Sequence, residues 1–304
     1  MSDLPALALF TLLVLGLLAL DLGFFHRRAH AVPLREAAFW SAFWIVLSLA
    51  FNVGLYFWRG SQPALEFLTG YILEKSLSMD NIFVFAVIFG YMRVAAEYQH
   101  KVLFWGIVGA LVMRAAFIAT GLALVSRFNW VLYIFGVFLL ITGAKLLRER
   151  QAEFHPERSP ALRLARRVFP ITENYEGASF FVRREGRLLA TPLLLVLLLV
   201  ETTDVLFAVD SIPAIFAVTL DPFIVYTSNV CAILGLRALY FVLAGAVRRF
   251  RYLRPGLAVV LMFVGVKMLV VRFYKIPLLV SLAAICLILL VAVLASLRAE
   301  QKST

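Results

Sequence analysis

The chain has 304 residues, of which 63% are hydrophobic and 15% are charged, whereas soluble domains have about 45–50% and about 25%. This composition excludes a soluble enzyme or DNA-binding module and predicts an all-α, polytopic membrane protein. The formal net charge of +11 is therefore interpreted as a topology signal, and no nucleic-acid partner is expected.

Nine apolar stretches have the length of about 20 residues that a membrane-spanning helix needs. They lie at residues 4–25, 36–58, 63–90, 102–126, 128–147, 188–219, 223–247, 256–272 and 277–297. The first is followed by basic residues without a clear cleavage site, which indicates a retained span rather than a signal peptide. Between the fifth and sixth stretches, residues 179–190 alternate around Glu185-Gly186 and predict a short hairpin.

Basic residues are distributed very unevenly between the predicted loops. One side of the membrane carries 20 Lys and Arg residues and the other carries 4. The positive-inside rule then predicts a multi-pass protein of the cytoplasmic (inner) membrane, with its N-terminus outside and its C-terminus in the cytoplasm.

Five further basic residues lie inside predicted spans. They are Lys75, Arg114, Lys145, Arg237 and Lys267. Two pairs among them repeat at nearly constant spacing, because Arg114 and Arg237 are 123 residues apart and Lys145 and Lys267 are 122 apart. An Asp-x-x-Phe segment at residue 80 recurs 124 residues later, at residue 204. Since the repeated unit has three spans, the second copy must be inverted in the membrane.

The predicted organisation follows from this repeat. It comprises an N-terminal two-helix segment (1–62), repeat 1 (63–147), a cytoplasmic loop (148–187), repeat 2 (188–272) and a C-terminal helix and tail (273–304).

Five carboxylates also lie inside predicted spans: Glu74, Asp80, Glu201, Asp204 and Asp210. An uncompensated charge at the bilayer centre costs about 2.5–3.5 kcal/mol, so these acids are expected to pair with the five bases. For four of the bases, ion pairs that only fasten the helix bundle are a sufficient explanation. They are Arg114, Arg237, Lys145 and Lys267. The acidic segments contain additional polar groups and require a further explanation.

In the third predicted span, about 100° of rotation per residue places Glu74, Ser78 and Asn81 on one helix face. Asp80 lies off that face. It is expected to join the others only if the helix is kinked or unwound.

The sixth predicted span shows the same division. Glu201, Asp204 and Ser211 share a face, and Asp210 does not. Pro213 supplies a cause for a break, because it leaves the carbonyl of residue 209 without its helical donor. A break of this kind would expose carbonyl oxygens beside the carboxylates.

Carboxylate, amide, hydroxyl and carbonyl oxygens are the ligands of hard divalent cations such as Mn²⁺, Ca²⁺ and Mg²⁺. The candidate metal ligands are Glu74, Asp80, Asn81, Glu201, Asp204, Asp210 and Ser211. No histidine lies in a predicted span, which disfavours Zn²⁺ and Cu⁺. No P-loop, HExxH, GxGxxG or GxSxG pattern occurs, so we expect no enzyme activity, no catalytic residue and no cofactor. An intramembrane aspartyl protease fits these acids less well than a cation site does.

Several motifs resemble the TerC/Alx family of integral membrane proteins, which is named for tellurium resistance and linked to manganese export. They are EKSLSMDN at 74–81, ETTDVLFAVDSIPA at 201–214, TSN at 227–229 and LGLRALY at 234–240. The resemblance extends from about residue 21 through the eighth span. It implies that the five carboxylates correspond to the family's acidic metal-pathway residues.

The leading hypothesis is a secondary exporter of Mn²⁺, with Ca²⁺ and Mg²⁺ as alternative cargo. Proton exchange is the candidate coupling, since carboxylates that bind a dication also bind protons. Arg114 and Arg237 would hold the acidic segments through ion pairs that rearrange during transport. The expected partners are the cation and membrane lipid, and the sequence indicates no particular protein partner.

Two alternatives remain open from the sequence. In the first, the chain is a non-transporting membrane component that assists insertion or assembly of other proteins, with the loop at 148–187 as its docking surface. In the second it is a tellurite-resistance component, with Arg114 and Arg237 as anion ligands. Five acids in the same core disfavour the second alternative because they repel an oxyanion.

Overall fold

The computed structural model describes residues 4–20, 33–148, 160–184, 186–243 and 252–301, which form a mostly helical structure. The first five helices are α1 (Leu4–Leu20), α2 (Leu34–Arg59), α3 (Ser61–Tyr91), α4 (Ala96–Arg127) and α5 (Val131–Arg148). A short helix and a hairpin follow: α6 (Pro160–Val168), β1 (Phe181–Arg184) and β2 (Arg187–Ala190). The last five helices are α7 (Pro192–Phe216), α8 (Pro222–Leu234), α9 (Leu236–Leu243), α10 (Leu253–Val270) and α11 (Leu278–Gln301).

Seven helical segments of the described chain are long and apolar enough to cross a membrane. They are α2, α4, α5, α7, α8 together with α9, α10 and α11. The two other predicted spans are also helical in the described residues. The described part of α1 has 17 residues, and the 31 residues of α3 include the acidic segment. The multi-pass helical architecture is therefore confirmed, and the count of nine spans stays a prediction.

Unwinding beside the acids is absent from the described helices, so this part of the prediction is wrong. Both α3 and α7 are continuous, and Pro213 lies within the last turn of α7. The interruption instead occurs at Gly235, between α8 and α9. A methyl group at Gly235 would lie 2.8 Å from Lys75 Nζ and 3.2 Å from Trp44 Cβ. A side chain at this position would therefore crowd Lys75 of α3 and Trp44 of α2.

The predicted hairpin is confirmed. Its strands pair antiparallel, with Phe181 opposite Ala190. The segment before it is docked on the helices, since Lys101 Nζ donates a 2.6 Å hydrogen bond to the Ala178 carbonyl and Tyr175 Oη donates one of 2.8 Å to the carbonyl after α3. The described part of the predicted cytoplasmic loop is therefore a folded cap on the ends of α3 and α4.

The closest helix pairing joins α5 and α10 through small residues. A methyl group on Gly265 would lie 2.8 Å from the Gly136 carbonyl oxygen, and one on Gly143 would lie 2.8 Å from the Ala258 carbonyl oxygen. Real Cβ atoms do not approach backbone this closely. The two helices can pack at this distance only because these positions lack side chains.

Large apolar side chains cover the outer surface of the bundle. Leu9 of α1 is 69% exposed, Phe57 of α2 is 81% exposed and Leu287 of α11 is 62% exposed. Apolar surface of this extent fits contact with lipid acyl chains. The polar groups described next lie on the opposite, inner side of the helices.

Candidate functional site

A buried arginine organises the centre of the bundle. Arg114 of α4 is 2% exposed. Its Nε and Nη2 donate to the two Asp204 carboxylate oxygens at 3.2 and 3.1 Å. Its Nη1 forms an ion pair with Glu74 and donates to Ser211 Oγ at 3.3 Å and Asn229 Oδ1 at 3.1 Å. One side chain thereby connects α3, α4, α7 and α8.

The two carboxylates that hold Arg114 have further donors. Asn229 Nδ2 donates to Glu74 Oε2 at 3.0 Å, and Asn81 Nδ2 donates to Asp204 Oδ1 at 3.3 Å. Charged and amide groups thus compensate both carboxylates, as buried charges require. The predicted ion pair between Arg114 and the acidic segments is present.

Beside this cluster lies a cavity of about 190 Å³ between α3, α5, α7 and α10. It is large enough for a cation with several water molecules. Its polar lining consists of Glu74, Ser78, Asp80, Asn81, Arg114, Thr142, Lys145, Asp210, Ser211 and Arg254. The lining brings together five of the seven candidate ligands.

Asp80 and Asp210 reach this cavity from unbroken helices. The lining residues of α3 cover an arc of about 160° around the helix axis, from Asp80 through Glu74 to Ser78. The prediction that these aspartates require unwinding is wrong because the cavity wraps around α3 instead of touching one narrow face. Thr142 and Lys145 of α5 line the same cavity as Asp210.

Two oxygen atoms at the cavity are buried without a hydrogen bond in the described part of the chain. They are Ser78 Oγ and Asn81 Oδ1, and each residue is 1% exposed. Buried polar atoms almost always have a partner. These two oxygens are therefore available to a ligand that the cavity would admit.

The carboxylates in the described part of the chain are too dispersed to hold an ion by themselves. Among the described residues, no three His, Cys, Asp or Glu side chains are grouped closely enough to hold an ion. A cation in this cavity would need neutral oxygen ligands such as Ser78, Asn81 and Ser211 in addition to Asp80 and Asp210.

Two predicted site residues lie elsewhere. Glu201 does not line this cavity. It faces α4 at Gly109, where a methyl group would collide with its carboxylate, and its Oε2 makes no hydrogen bond to the described residues. Asp204 lines a second, much smaller cavity, which Arg237 also borders.

The remaining predicted bases also differ in position. Lys145 lines the main cavity. Lys75 donates a 3.1 Å hydrogen bond to the Ala232 carbonyl and thus fastens α3 to α8. Lys267 is partly buried on α10 and does not line the cavity.

The sequence prediction omitted Arg254 and Thr142 from the site. Arg254 Nε lies 3.5 Å from Asp80 Oδ1. The repeat does not identify it, since the position 122 residues earlier is Leu132. Asn229 lies within the TSN motif, but helical periodicity in one span could not place it beside Glu74.

Comparison with known proteins places this arrangement in a family. The model of the integral membrane protein TerC family matches residues 59–304. An uncharacterized membrane protein of Myxococcus xanthus is 56% identical over 288 residues, covering 95% of this chain and 90% of the relative. A protein of Escherichia coli K12 is 50% identical over 285 residues, covering 91% and 89%. Its name describes a proposed membrane-bound redox modulator, Alx.

A less similar relative also aligns over nearly the whole chain. An uncharacterized membrane protein of Rickettsia bellii is 40% identical over 288 residues and covers 95% of both chains. No solved structure matches significantly. The family match includes every residue of the cavity and the Arg114 cluster, and the relatives align over nearly the whole chain. The chain therefore belongs to the TerC family of integral membrane proteins.

Proposed function

We propose that this chain is a secondary transporter that exports a hard divalent cation, with Mn²⁺ as the expected cargo. The cavity between α3, α5, α7 and α10 is the cation site of this proposal. One observation carries it: Asp80 and Asp210 line a cavity in which Ser78 Oγ and Asn81 Oδ1 are buried without hydrogen-bond partners. Oxygen ligands of this kind suit Mn²⁺, Mg²⁺ and Ca²⁺.

The charge balance of the cavity supports a coupled mechanism. Three carboxylates and three basic side chains line it, so its formal charge is zero before any ion enters. With all six groups ionised, a divalent cation adds a charge of +2 unless a basic side chain moves away. A carboxylate that carries a proton in the empty cavity can instead release it when the cation binds. Exchange of the cation for a proton at Asp210 limits the added charge within the membrane.

The finer architecture belongs to the same proposal. Nine spans with two inverted repeats would relate Gly136 to Ala258 and Gly143 to Gly265, at the 122-residue offset. The contact between Gly136 and Gly265 then has a counterpart between Gly143 and Ala258, and both are close backbone approaches. Reciprocal packing of this kind supports an inverted repeat with its site at the repeat interface.

The proposed orientation gives the cavity an inward-facing entrance. The positive-inside rule assigns the Lys145 end of α5 and the Arg254 end of α10 to the cytoplasm. A cation would enter between these two side chains and meet Asp80 before the Arg114 cluster. The inner membrane and the cytoplasmic C-terminus are parts of this proposal.

The test is the metal content of cells that lack their own manganese exporter. Under manganese challenge, the wild-type chain should lower cellular Mn and leave Ca, Mg and Fe unchanged. Asp210→Asn should abolish the difference, because it removes a carboxylate charge from the cavity and keeps the side-chain volume. Glu66→Gln is the matched control, since it neutralises an acid on α3 that does not line the cavity.

An unchanged metal content with wild-type protein in the membrane would contradict the proposal. The assembly function would then become the stronger hypothesis. Deletion of residues 150–185 should abolish the phenotype in that case, while Asp210→Asn should not. The tellurite alternative has a weaker basis, because Arg114 already donates to Glu74, Asp204, Ser211 and Asn229.

A further inference from the structure

One basic side chain of the cavity lining, that of Arg254, has no basic counterpart in the sequence repeat. Arg254 lies in the first turn of α10, at the proposed cytoplasmic entrance. Its side chain is 23% exposed, while that of Asp80 is 13% exposed. The pair therefore lies between the buried cluster and the aqueous side.

Arg254 and Arg114 are held very differently. Arg114 makes hydrogen bonds to two carboxylates, a hydroxyl and an amide. Arg254 Nε is 3.5 Å from Asp80 Oδ1, and this nitrogen makes no hydrogen bond in the described part of the chain. Buried guanidinium nitrogens usually have close partners. Among the described contacts, Arg254 is thus joined to Asp80 by a long ion pair without a hydrogen bond at Nε, which is a weaker attachment than that of Arg114.

We infer that Arg254 is the counter-ion of Asp80 in the empty cavity. The divalent cation displaces its guanidinium from Asp80 on binding. The inference rests on the proposed function and adds a specificity-determining residue to it. The guanidinium neutralises Asp80 between transport cycles, so that the empty carrier has no uncompensated acid in the membrane. A monovalent cation that replaces this +1 side chain at Asp80 gains little electrostatic stabilisation, whereas a divalent cation gains more.

The inference predicts an unusual direction of change for a residue of a binding site. Neutralising Arg254 should tighten Mn²⁺ binding, because the cation no longer competes with a positive charge for Asp80. At ion-pair distances and partial exposure, we expect Arg254→Gln to lower the Kd at least about tenfold. Arg254→Lys keeps the charge and should leave the Kd nearly unchanged.

The experiment is Mn²⁺ titration of the purified full chain in lipid nanodiscs, with free Mn²⁺ followed by electron paramagnetic resonance. Wild type, Arg254→Gln and Arg254→Lys are compared with Arg148→Gln. Arg148 is exposed at the cytoplasmic end of α5 and does not line the cavity. It therefore reports the effect of removing a positive charge from the same side of the protein.

A second variant set keeps the test independent of folding. Cys231 and Cys286 are replaced by Ser, and Arg254→Cys is labelled with a positively charged or a neutral methanethiosulfonate reagent. One folded protein then carries either charge at this position. The positively charged product should bind Mn²⁺ about as the wild type does, and the neutral product should bind it more tightly.

Each outcome has a definite meaning. Tighter binding in Arg254→Gln alone supports the counter-ion role. Equal or weaker binding in Arg254→Gln, with Mn²⁺ bound by the wild type, overturns it and leaves the cation site intact. No Mn²⁺ binding by any folded form overturns the proposed function, and the inference with it. Equal tightening in Arg148→Gln also overturns the inference, because it indicates only a general surface-charge effect.

Discussion

Removing the Arg114 side-chain charge should destabilise the protein strongly. Arg114→Met fills a similar volume but leaves Glu74 and Asp204 buried without their cation. These carboxylates are 2% and 3% exposed, so water compensates poorly for the lost ion pairs. The remaining donors are one amide for each carboxylate, from Asn229 and Asn81.

The magnitude follows from the number of charges left unpaired. Breaking a buried ion pair by removing one partner costs about 3–5 kcal/mol. Arg114 holds two carboxylates, and protonation of one of them limits the loss, so we expect a value near the upper end of this range. The triple variant Arg114→Met/Glu74→Gln/Asp204→Asn removes all three charges. Its amides can still accept from Asn229 and Asn81, and it should therefore recover most of the stability.

The assay is thermal unfolding of detergent-purified protein, followed by the loss of the monodisperse peak in size-exclusion chromatography. All variants are heated at one rate, because membrane proteins often unfold irreversibly. Glu74→Gln should lower the thermal stability less than Arg114→Met does, since Arg114 still forms its ion pair with Asp204. Wild-type stability of Arg114→Met, or a triple variant no more stable than the single one, would refute this reasoning.

Two further predictions concern the packing of α5 against α10 and the N-terminal cap of α8. Gly265→Ala should lower the free energy of unfolding by about 1–3 kcal/mol, because its methyl group would lie 2.8 Å from the Gly136 carbonyl and force α5 and α10 apart. The same thermal assay measures this change, and unchanged stability would contradict the packing. Asp221 accepts hydrogen bonds from two amides at the start of α8 and pairs with Arg59 at 3.1 Å. Asp221→Asn retains a side chain that can cap the helix and should lower the free energy of unfolding by less than about 1 kcal/mol. Asp221→Ala removes the cap and should lower it by about 1 kcal/mol more. Equal effects of the two Asp221 substitutions would exclude capping as the main contribution.

Local sequence patterns predicted the elements that depend on short-range chemistry. The apolar stretches predicted the helical segments, and the alternation around residue 186 predicted the hairpin. Pro213 was misleading, because a proline in the last turn of a helix removes one hydrogen bond without ending the helix. The interruption lies at Gly235, where Lys75 and Trp44 of other helices approach closely. No local pattern in α8 or α9 contains that information.

The sequence by itself determined that this chain is a helical membrane protein with acids and bases inside its apolar segments. It also indicated a pairing of Arg114 with the acidic segments, because charges in a membrane must be compensated. Only the tertiary structure decided which of these groups meet. It placed Asp80 and Asp210 at one cavity, Glu201 outside it and Arg254 beside Asp80. Helical periodicity reports the face of a single helix, whereas the lining of a cavity depends on the positions and rotations of four helices that are distant in sequence.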